Sequence, residues 1–529
     1  MIRRVLQASS FALFVLCSNA AAQATPLVPP DGIVYRDIER LGALGLIDSL
    51  LLGDRPYSER QIVALLREAR ANLDRRPSAR AWAEPAITAD LARYDRPDQR
   101  AIDAARFEAT AMESPTRPAP SDANGSIDAD INPFAMNRLG RPFANGAFAF
   151  LETSHSATLG KHVAFTIAPR FAVTSERGGE TVPTLRLQRA VANVLLGDLA
   201  IDVGRDVALF GQSPTGGLML STNAPSLDMI RVRNEHEWNV PLLSYVFGGI
   251  RGTLIVADLG RDRITYPHSQ LIGWHLAATP HPQFEIGVGV LDAMGGSGGQ
   301  EASFADRVLD AIPLVDVFRT GSDFQFSNKL AGLDLRWRMP RWAGFEMYGE
   351  MSIDDIEGRT IGRAFNEDAA YLLGASVSCF IECGRYVLRA EYHQTGTRFY
   401  THTHYPLTKS GFLLGDPLGP RGLAGFLSFD ADLARGGSVA LIGAFEARSG
   451  NTYRSATTGT GDAGFHFELV TRRPSETRTR LLAMWETDAR SVLSLQGGLG
   501  VELMDHFAFS PDASRTNWLV RVGASLHPR

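Results

Sequence analysis

The sequence predicts a mainly β protein: a transmembrane antiparallel β-barrel with a small α-helical domain at its N-terminus. Three observations predict this fold. The chain opens with an export signal, it contains no later stretch apolar enough for a membrane-spanning helix, and apolar and polar side chains alternate from Phe143 onward. Only helices and closed barrels can span a bilayer, so an exported chain with two-faced strands fits a barrel.

The N-terminal segment has the three parts of a secretory signal. Arg3 and Arg4 give it a positive start, an apolar run follows from Phe11 to Leu16, and small residues lead up to Ala24. A membrane anchor is the alternative, but the apolar run is well short of the roughly 20 residues that a spanning helix needs. We therefore predict a signal peptide over residues 1–24, cleaved after Ala24.

Residues 25–112 predict a helical domain on the periplasmic side. Apolar residues at three-residue steps form a first helix, and Gly45 can end it in a left-handed conformation. Ser58 opens a second helix, and Gln61, three residues later, completes a capping box. The apolar stripe of this helix is Ile62, Leu65, Leu66, Ala69 and Leu73. Two further helices are expected over residues 79–94 and 100–111.

Residues 113–142 predict a linker, because Pro, Ser, Asn, Asp and Gly dominate the run SPTRPAPSDANGSIDADINP. Asp128 and Asp130 raise the alternative of a calcium loop. This segment lacks the Gly and the terminal Glu that such a loop requires. A solvated connection to the next domain is the interpretation that we keep.

Residues 143–529 predict the barrel itself. Between Ala331 and Arg338, for example, Leu and Trp alternate with Asp and Arg, and the same alternation recurs from Trp518 to Leu526. A soluble β-sandwich gives the same pattern, but segments of about ten residues suit tilted membrane strands, and a wet lumen accepts many Arg and Glu. Short and long turn signals also alternate along the chain. We count sixteen to eighteen strands.

Three segments resemble the capsule-assembly Wzi family. They are YRDIERLGALGLIDSLLLGDRPYSERQIVALLREA (Tyr35 to Ala69), GGLMLSTNAPSLDMIRV (Gly216 to Val232) and FYTHTHYPLTKSGFLLGDPLGPRGLAGFLSF (Phe399 to Phe429). The resemblance implies a barrel of about eighteen strands that the helical domain closes on the periplasmic side. It also implies an outer-membrane lectin that holds capsular polysaccharide, in a family that is not known for enzymes.

We accordingly expect a monomeric outer-membrane protein that binds capsular or exopolysaccharide and anchors it at the cell surface. A channel for polysaccharide export or diffusion is the alternative, followed by a polysaccharide-modifying enzyme. The sequence contains no Gly-x-Ser-x-Gly or His-Glu-x-x-His motif, and we expect neither catalysis nor a cofactor. Outer-membrane lipid is the other expected partner. A formal net charge of −5 on 529 residues argues against nucleic acid.

One segment has the composition of a sugar-binding site. Aromatic rings stack on sugar rings, and planar polar groups bind hydroxyls and carboxylates. The candidate contacts are Arg231, Arg233, Asn234, Glu235 and Trp238. On a strand, the two arginines share a face and could clamp an acidic sugar. The alternative is a ladder of lumen-facing charges that neutralise one another.

Two smaller groups complete the sequence prediction. His402 and His404, with His393 nearby, raise the possibility of a metal, but no carboxylate or cysteine stands at ligand spacing, and we predict none. Cys379 and Cys383 form an even pair in an oxidising compartment. We predict a short disulfide between them.

Overall fold

The computed structural model describes residues 23–95, 103–113, 117–118, 130–131, 139–141, 145–214, 216–263, 265–299, 303, 327–354, 362, 364–402, 404–433, 436–457 and 465–527. The expected signal peptide lies outside these residues except for its last two positions, and so does most of the expected linker. Within the described part of the chain, no helix combines the length and the apolarity that crossing a membrane requires.

Eighteen antiparallel strands form one closed barrel, as predicted. The strands are β1 Ala104–Glu113, β2 Gly146–Leu159, β3 Val163–Glu176, β4 Thr181–Leu196, β5 Leu199–Asp206, β6 Leu227–Asn234, β7 Gly249–Asp258, β8 Gln270–His281, β9 Phe284–Met294, β10 Ser327–Met339, β11 Phe345–Asp354, β12 Ala369–Val377, β13 Tyr386–Thr395, β14 Gly422–Asp432, β15 Ser438–Arg448, β16 Glu476–Glu486, β17 Leu493–Asp505 and β18 Ser514–Leu526. Strand β1 pairs with both β2 and β18 and so closes the ring.

The two faces of each strand meet different surroundings. On β10, the side chain of Trp337 is 50% exposed on the outer wall, whereas Arg336 and Arg338 on either side are buried in the lumen. The largest fully buried side chains of the described residues include four arginines. The barrel is therefore apolar outside and charged inside, as a membrane barrel requires.

The two ends of the barrel differ in the length of their connections. At one end, which we call the short-turn end, the strands are joined by turns such as 160–162, 197–198, 282–283 and 340–344. At the other, the long-loop end, the connections include 207–226, 396–421 and 449–475. Several of the long connections fold back into or over the lumen.

The helical domain packs into the short-turn end. Its helices are α1 Ile33–Ala43, α2 Glu59–Ala71 and α3 Arg80–Tyr94, and their apolar faces share one buried core. The capping box of Ser58 and Gln61 is confirmed, and Gly45 follows the first helix with a φ of +75°.

The predicted helix over residues 100–111 is wrong, because residues 104–113 form barrel strand β1. Phe107 is 45% exposed on the outer wall, and its neighbour Glu108 is buried in the lumen. The alternation that marks the later strands thus already begins here. The barrel starts at Ala104 rather than at Phe143.

Candidate functional site

The predicted arginine pair lies in the lumen and is held by carboxylates. Arg231 donates to Asp202 at 2.7 Å and to Asp206 at 2.8 Å, and Arg233 donates to Glu235 at 2.6 Å. Both side chains are at most 5% exposed. This arrangement does not support a polysaccharide contact at these two residues, because each guanidinium is buried and already bonded to carboxylates of the same chain.

Glu235 joins this network to the helical domain. Its carboxylate accepts a hydrogen bond from the Ser58 hydroxyl, and its carbonyl accepts one from Gln61 Nε2 at 2.7 Å. Burial raises the pKa of Glu235, but the guanidiniums of Arg233 and Arg60 and the Ser58 hydroxyl together lower it below its ordinary value. The ion-paired carboxylate therefore fastens the start of α2 to the barrel wall.

The remaining two predicted contacts shape the following turn. Asn234 is fully buried, and its side-chain amide binds the backbone of Ile250 and Gly252 on β7. Trp238 is 38% exposed at the short-turn end, where its indole N–H donates to Asp198 at 2.8 Å. Arg233, Asn234, Glu235 and Trp238 thus lie towards the short-turn end, whereas Arg231 lies deeper in the lumen and also donates to the carbonyl of Val207 in loop 207–226 at 2.9 Å.

The three segments that carry the family resemblance meet inside the barrel. Arg55, from the first segment, donates to the carbonyls of Gly211 at 3.1 Å, Ser213 at 2.7 Å and Pro214 at 3.0 Å. These carbonyls belong to the loop 207–226, which enters from the long-loop end and overlaps the second segment. We call this junction of loop 207–226 with residues 52–55 the plug.

The third segment joins the plug from above. Asn223 donates to the carbonyl of Leu413 at 2.9 Å, and the Tyr400 hydroxyl donates to the carbonyl of Leu218. Both tyrosine and asparagine are buried. Backbone from all three segments therefore fills this part of the lumen. A wide channel cannot pass through it.

A carboxylate of the barrel wall holds the turn of the plug. Glu350 on β11 accepts the backbone N–H groups of Gln212 at 2.6 Å, Ser213 at 3.1 Å and Leu218 at 2.8 Å. A Cβ added at Gly217 would collide with this carboxylate, so the close approach requires glycine. The Gly-Gly pair that opens the second segment thus has a direct structural reason.

Above the plug, aromatic rings and imidazoles form a cap. The ring of Tyr266 lies 5.4 Å from that of His404 and 5.2 Å from that of Tyr405, and the His402 ring lies 6.0 Å from that of Tyr405. His404 is exposed at the surface, whereas Tyr405 is buried. The cap therefore presents a ring-rich surface at the long-loop end.

A groove of about 330 Å³ lies on the rim of the same end. It collects side chains from three long connections and from the strand ends beneath them. The side chains that matter chemically are Phe365, Asn366, Tyr371, Gln394, Arg421 and Tyr453. Its volume lies at the lower end of the range of about 300–1,000 Å³ that is usual for small-molecule sites.

Arg421 organises this groove. Its backbone N–H donates to the carbonyl of Gly396 at 3.0 Å, and its own carbonyl accepts from Ser449 at 3.0 Å, so it ties two of the connections together. Its guanidinium donates to the carbonyl of Asn451 at 2.6 Å and lies 5.9 Å from the ring centre of Tyr453. The groove thus has a fixed cationic and aromatic wall.

The chemistry of the groove suits a sugar. Phe365 is 41% exposed and offers a ring face, and Asn366 and Gln394 offer amide groups that can bind hydroxyls. The sequence prediction missed this site because its residues lie far apart in the chain, whereas the prediction searched one short segment. The single pointer was Arg421, which lies in the third resembling segment.

The histidines and cysteines have structural surroundings. His393 is separate from the cap: its ring lies in the lumen, bonded to Asp416 at 2.5 Å. Among the described residues, no group of three or more His, Cys, Asp or Glu side chains is placed to hold a metal ion. Cys379 and Cys383 lie side by side in a turn beside the helical domain, as the predicted disulfide requires. That bond stays a prediction.

Comparisons with known proteins point to one family and one fold. The sequence profile of the capsule assembly protein Wzi matches residues 120–519. The structure of Wzi from Escherichia coli, an outer-membrane protein involved in group 1 capsule assembly and a carbohydrate-binding β-barrel, is similar with a TM-score of 0.65 at 16% identity; the match covers 96% of this chain and 100% of that chain. At this identity, the likeness shows a shared fold.

Two structures from Pseudomonas aeruginosa are less similar. OccD3 (OpdP) matches with a TM-score of 0.44 at 10% identity, over 80% of this chain and 90% of that chain. The outer membrane protein OprD matches with a TM-score of 0.42 at 10% identity, over 81% and 95% of the two chains. A search of curated protein sequences gives no significant match.

Proposed function

This chain belongs to the capsule assembly protein Wzi family, and from that premise we propose that it binds capsular or exopolysaccharide and anchors the polymer at the cell surface. It is an outer-membrane β-barrel, and in such barrels the short turns face the periplasm and the long loops face outward. The helical domain then lies on the periplasmic side. The groove and the cap face the medium, where an exported polymer is met.

The observation that carries this proposal is the groove. It combines exposed ring faces, amide groups and one arginine at the outward end of a barrel whose lumen holds a plug. A lumen that the plug narrows supports surface binding over passage of a polymer. No step of bond making or breaking enters the proposal, which is one of binding without catalysis.

Purified protein in detergent tests the contact directly. Replacing Tyr453 with Ala removes a ring face of the groove, and we expect binding of the host's capsular polysaccharide to weaken about 2- to 10-fold, because an aromatic contact contributes about 0.5–1.5 kcal/mol. Tyr245→Ala is the matched control, since it removes an exposed tyrosine at the short-turn end. Equal affinity of both variants and the wild type would exclude the groove.

A deletion strain tests the anchoring. An anchor acts after export, so we expect total polysaccharide to stay nearly constant while the cell-bound fraction falls and the released fraction rises. An export channel predicts polymer trapped in the periplasm. A modifying enzyme predicts normal attachment with altered chain length. Unchanged surface retention would refute the anchoring proposal, even if the purified protein binds the polymer.

A further inference from the structure

The turn between β6 and β7, at the short-turn end, carries an exposed apolar helix, α4 Leu243–Phe247. Leu242, just before it, is 88% exposed and Tyr245 is 95% exposed. The other large side chains exposed on this turn are Leu243, Val246 and Phe247. The sequence from Trp238 to Ile250 contains no charged residue. Such a patch is costly in water and marks a contact surface.

This turn is a built structure on the barrel wall. Trp238 and Ile250 exchange backbone hydrogen bonds of 2.8 and 3.0 Å, which extend the pairing of β6 with β7. The Ser244 hydroxyl accepts the N–H of Val240 at 2.7 Å, and the helix itself lies against β7 and β8. The apolar side chains are therefore held in place at the edge of the barrel.

The patch continues the lipid-facing band. On the outer wall of β7 and β8, Leu254 is 43% exposed and Leu276 is 47% exposed, directly beyond the turn. Farther round the same end, Trp342 is 70% exposed and Ile381 is 68% exposed in their own turns. The apolar wall thus extends into the turns on this side.

Two other turns of the same end lack this feature. The turn 160–162 is formed by Gly, Lys and His, and the turn 197–198 by Gly and Asp. Both are polar, as turns in water usually are. The apolar turns are therefore local features of this end, and the polar turn 197–198 lies directly beside the turn that carries α4.

We propose that α4 is a foot that inserts into the periplasmic leaflet of the outer membrane, with phospholipid as its partner. A short apolar helix with a tyrosine beside a tryptophan suits the boundary between headgroups and acyl chains. Continuity with the lipid-facing wall favours lipid over a periplasmic protein. The proposal rests on the orientation of the barrel and is independent of polysaccharide binding.

A fluorescent label at the foot tests this proposal in the full-length protein. In a background with Cys379→Ser and Cys383→Ser, the variant Tyr245→Cys carries an environment-sensitive label and is reconstituted into phosphatidylethanolamine–phosphatidylglycerol vesicles. We expect a blue-shifted emission, strong quenching by lipids with a spin label on the acyl chain, and weak quenching by iodide. The heat-dependent shift on a detergent gel verifies that the barrel has folded.

The control label sits in a polar turn of the same end. Lys161→Cys, exposed in its turn, should emit as in water and be quenched by iodide. If the label at position 245 is quenched by iodide as strongly as that at position 161, the foot lies in water and the proposal is wrong. Protection at position 245 in cell envelopes but not in vesicles would assign the foot to a protein partner instead, which also overturns it.

Discussion

The two sides of the lumen are filled in different ways. Beneath strands β6 to β14, backbone from the helical domain and from loop 207–226 meets inward-facing arginines and carboxylates. Against β1 to β4 and β15 to β18, a cavity of about 1070 Å³ remains between the helical domain and the wall. We call these the filled side and the hollow side. Charged residues line both. On the filled side they bind loop 207–226, whereas on the hollow side Arg189 binds the carbonyl of Leu27 at 3.1 Å.

The hollow side balances its charges within its wall and with the helical domain, where Arg106 pairs with Asp31 at 2.9 Å. Arg106, Arg141 and Arg170 all lie within 5.8 Å of the ring centre of Phe150. Arg170 pairs with Glu152 on the neighbouring strand at 2.6 Å. The comparison teaches that a lumen rich in charge is not by itself a binding site. What distinguishes the filled side is a loop that supplies donors and acceptors from the opposite end.

The largest effect should come from an arginine of the filled side. Arg336 binds Glu346 at 2.8 Å, Glu39 at 3.3 Å and the Gln212 side chain at 2.9 Å, and it is buried. Arg336→Met removes the cation shared by two buried carboxylates, which keep only Arg389 beside Glu39 and Arg338 beside Glu346. We expect a loss of about 3–5 kcal/mol in the free energy of unfolding. Urea unfolding in detergent micelles measures this loss.

Arg170→Met is the matched control, since it removes an inward arginine of the hollow side. Its partner Glu152 has a side chain 21% exposed towards the cavity, so water can solvate the carboxylate that is left. We expect a loss of about 1 kcal/mol or less. If both variants lose the same free energy, the distinction between the two sides is wrong.

Arg55→Ala should open the filled side. The guanidinium holds three carbonyls of loop 207–226, and hydrogen bonds to a charged group contribute about 1.5–3 kcal/mol each in net terms. We expect single-channel recordings in planar bilayers to show a several-fold larger conductance than in the wild type. Arg75→Ala, which removes an exposed arginine of the helical domain, should leave the conductance unchanged.

The helical domain also has a pH-sensitive contact, between Asp37 on α1 and Asp90 on α3. Burial and the neighbouring Asp37 carboxyl raise the pKa of Asp90 well above its ordinary value, although Arg490 opposes this. The folded state then binds a proton more tightly than the unfolded state, so the stability of this contact falls as the pH rises from about 4 towards the raised pKa. Asp90→Asn should remove this dependence and strengthen the contact at neutral pH.

Hydrogen exchange of α1 and α3 at several pH values measures the change. In the wild type, protection of these helices should decrease with increasing pH after correction for the intrinsic exchange rate. In the variant, the corrected protection should stay level. A wild-type profile that is also level would show that Asp90 does not control this contact.

The smallest effect should come from the two cysteines. A disulfide that closes so short a loop restricts the unfolded chain little, and we expect the double change of Cys379 and Cys383 to Ser to cost less than about 2 kcal/mol. Mass spectrometry of protein from the cell envelope tests whether the bond exists. Two free thiols there would refute the predicted disulfide.

The sequence predicts features that depend on near neighbours. The capping box at Ser58, the left-handed Gly45 and the eighteen-strand barrel follow from local spacing or from the family resemblance. The pattern around Phe107 predicts a helix wrongly, because Ala and Glu also favour helices and the alternation there is short. A strand so early in the chain is explained only by its pairing with β18.

The partners of the charged residues in the lumen cannot be predicted from their neighbours in the sequence. Arg231 and Arg233 look like a clamp in the sequence because Asp202, which binds both of them, lies on another strand. Glu350 meets the loop that carries Gln212, which no spacing rule connects to it. The groove is hidden for the same reason, since long connections bring Phe365, Arg421 and Tyr453 together only after folding.

The position of the plug inside the closed ring also bears on the order in which the protein assembles. The ring is complete only when β1 pairs with β18, whereas Gly53 already lies inside it, bonded to Glu285 on β9. Loop 207–226 enters from the opposite end and grips the same segment. If the barrel closed first, residues 52–55 would have to enter a lumen that loop 207–226 already occupies. We therefore expect the helical domain to be in place before β1 pairs with β18, so that the strands close around it.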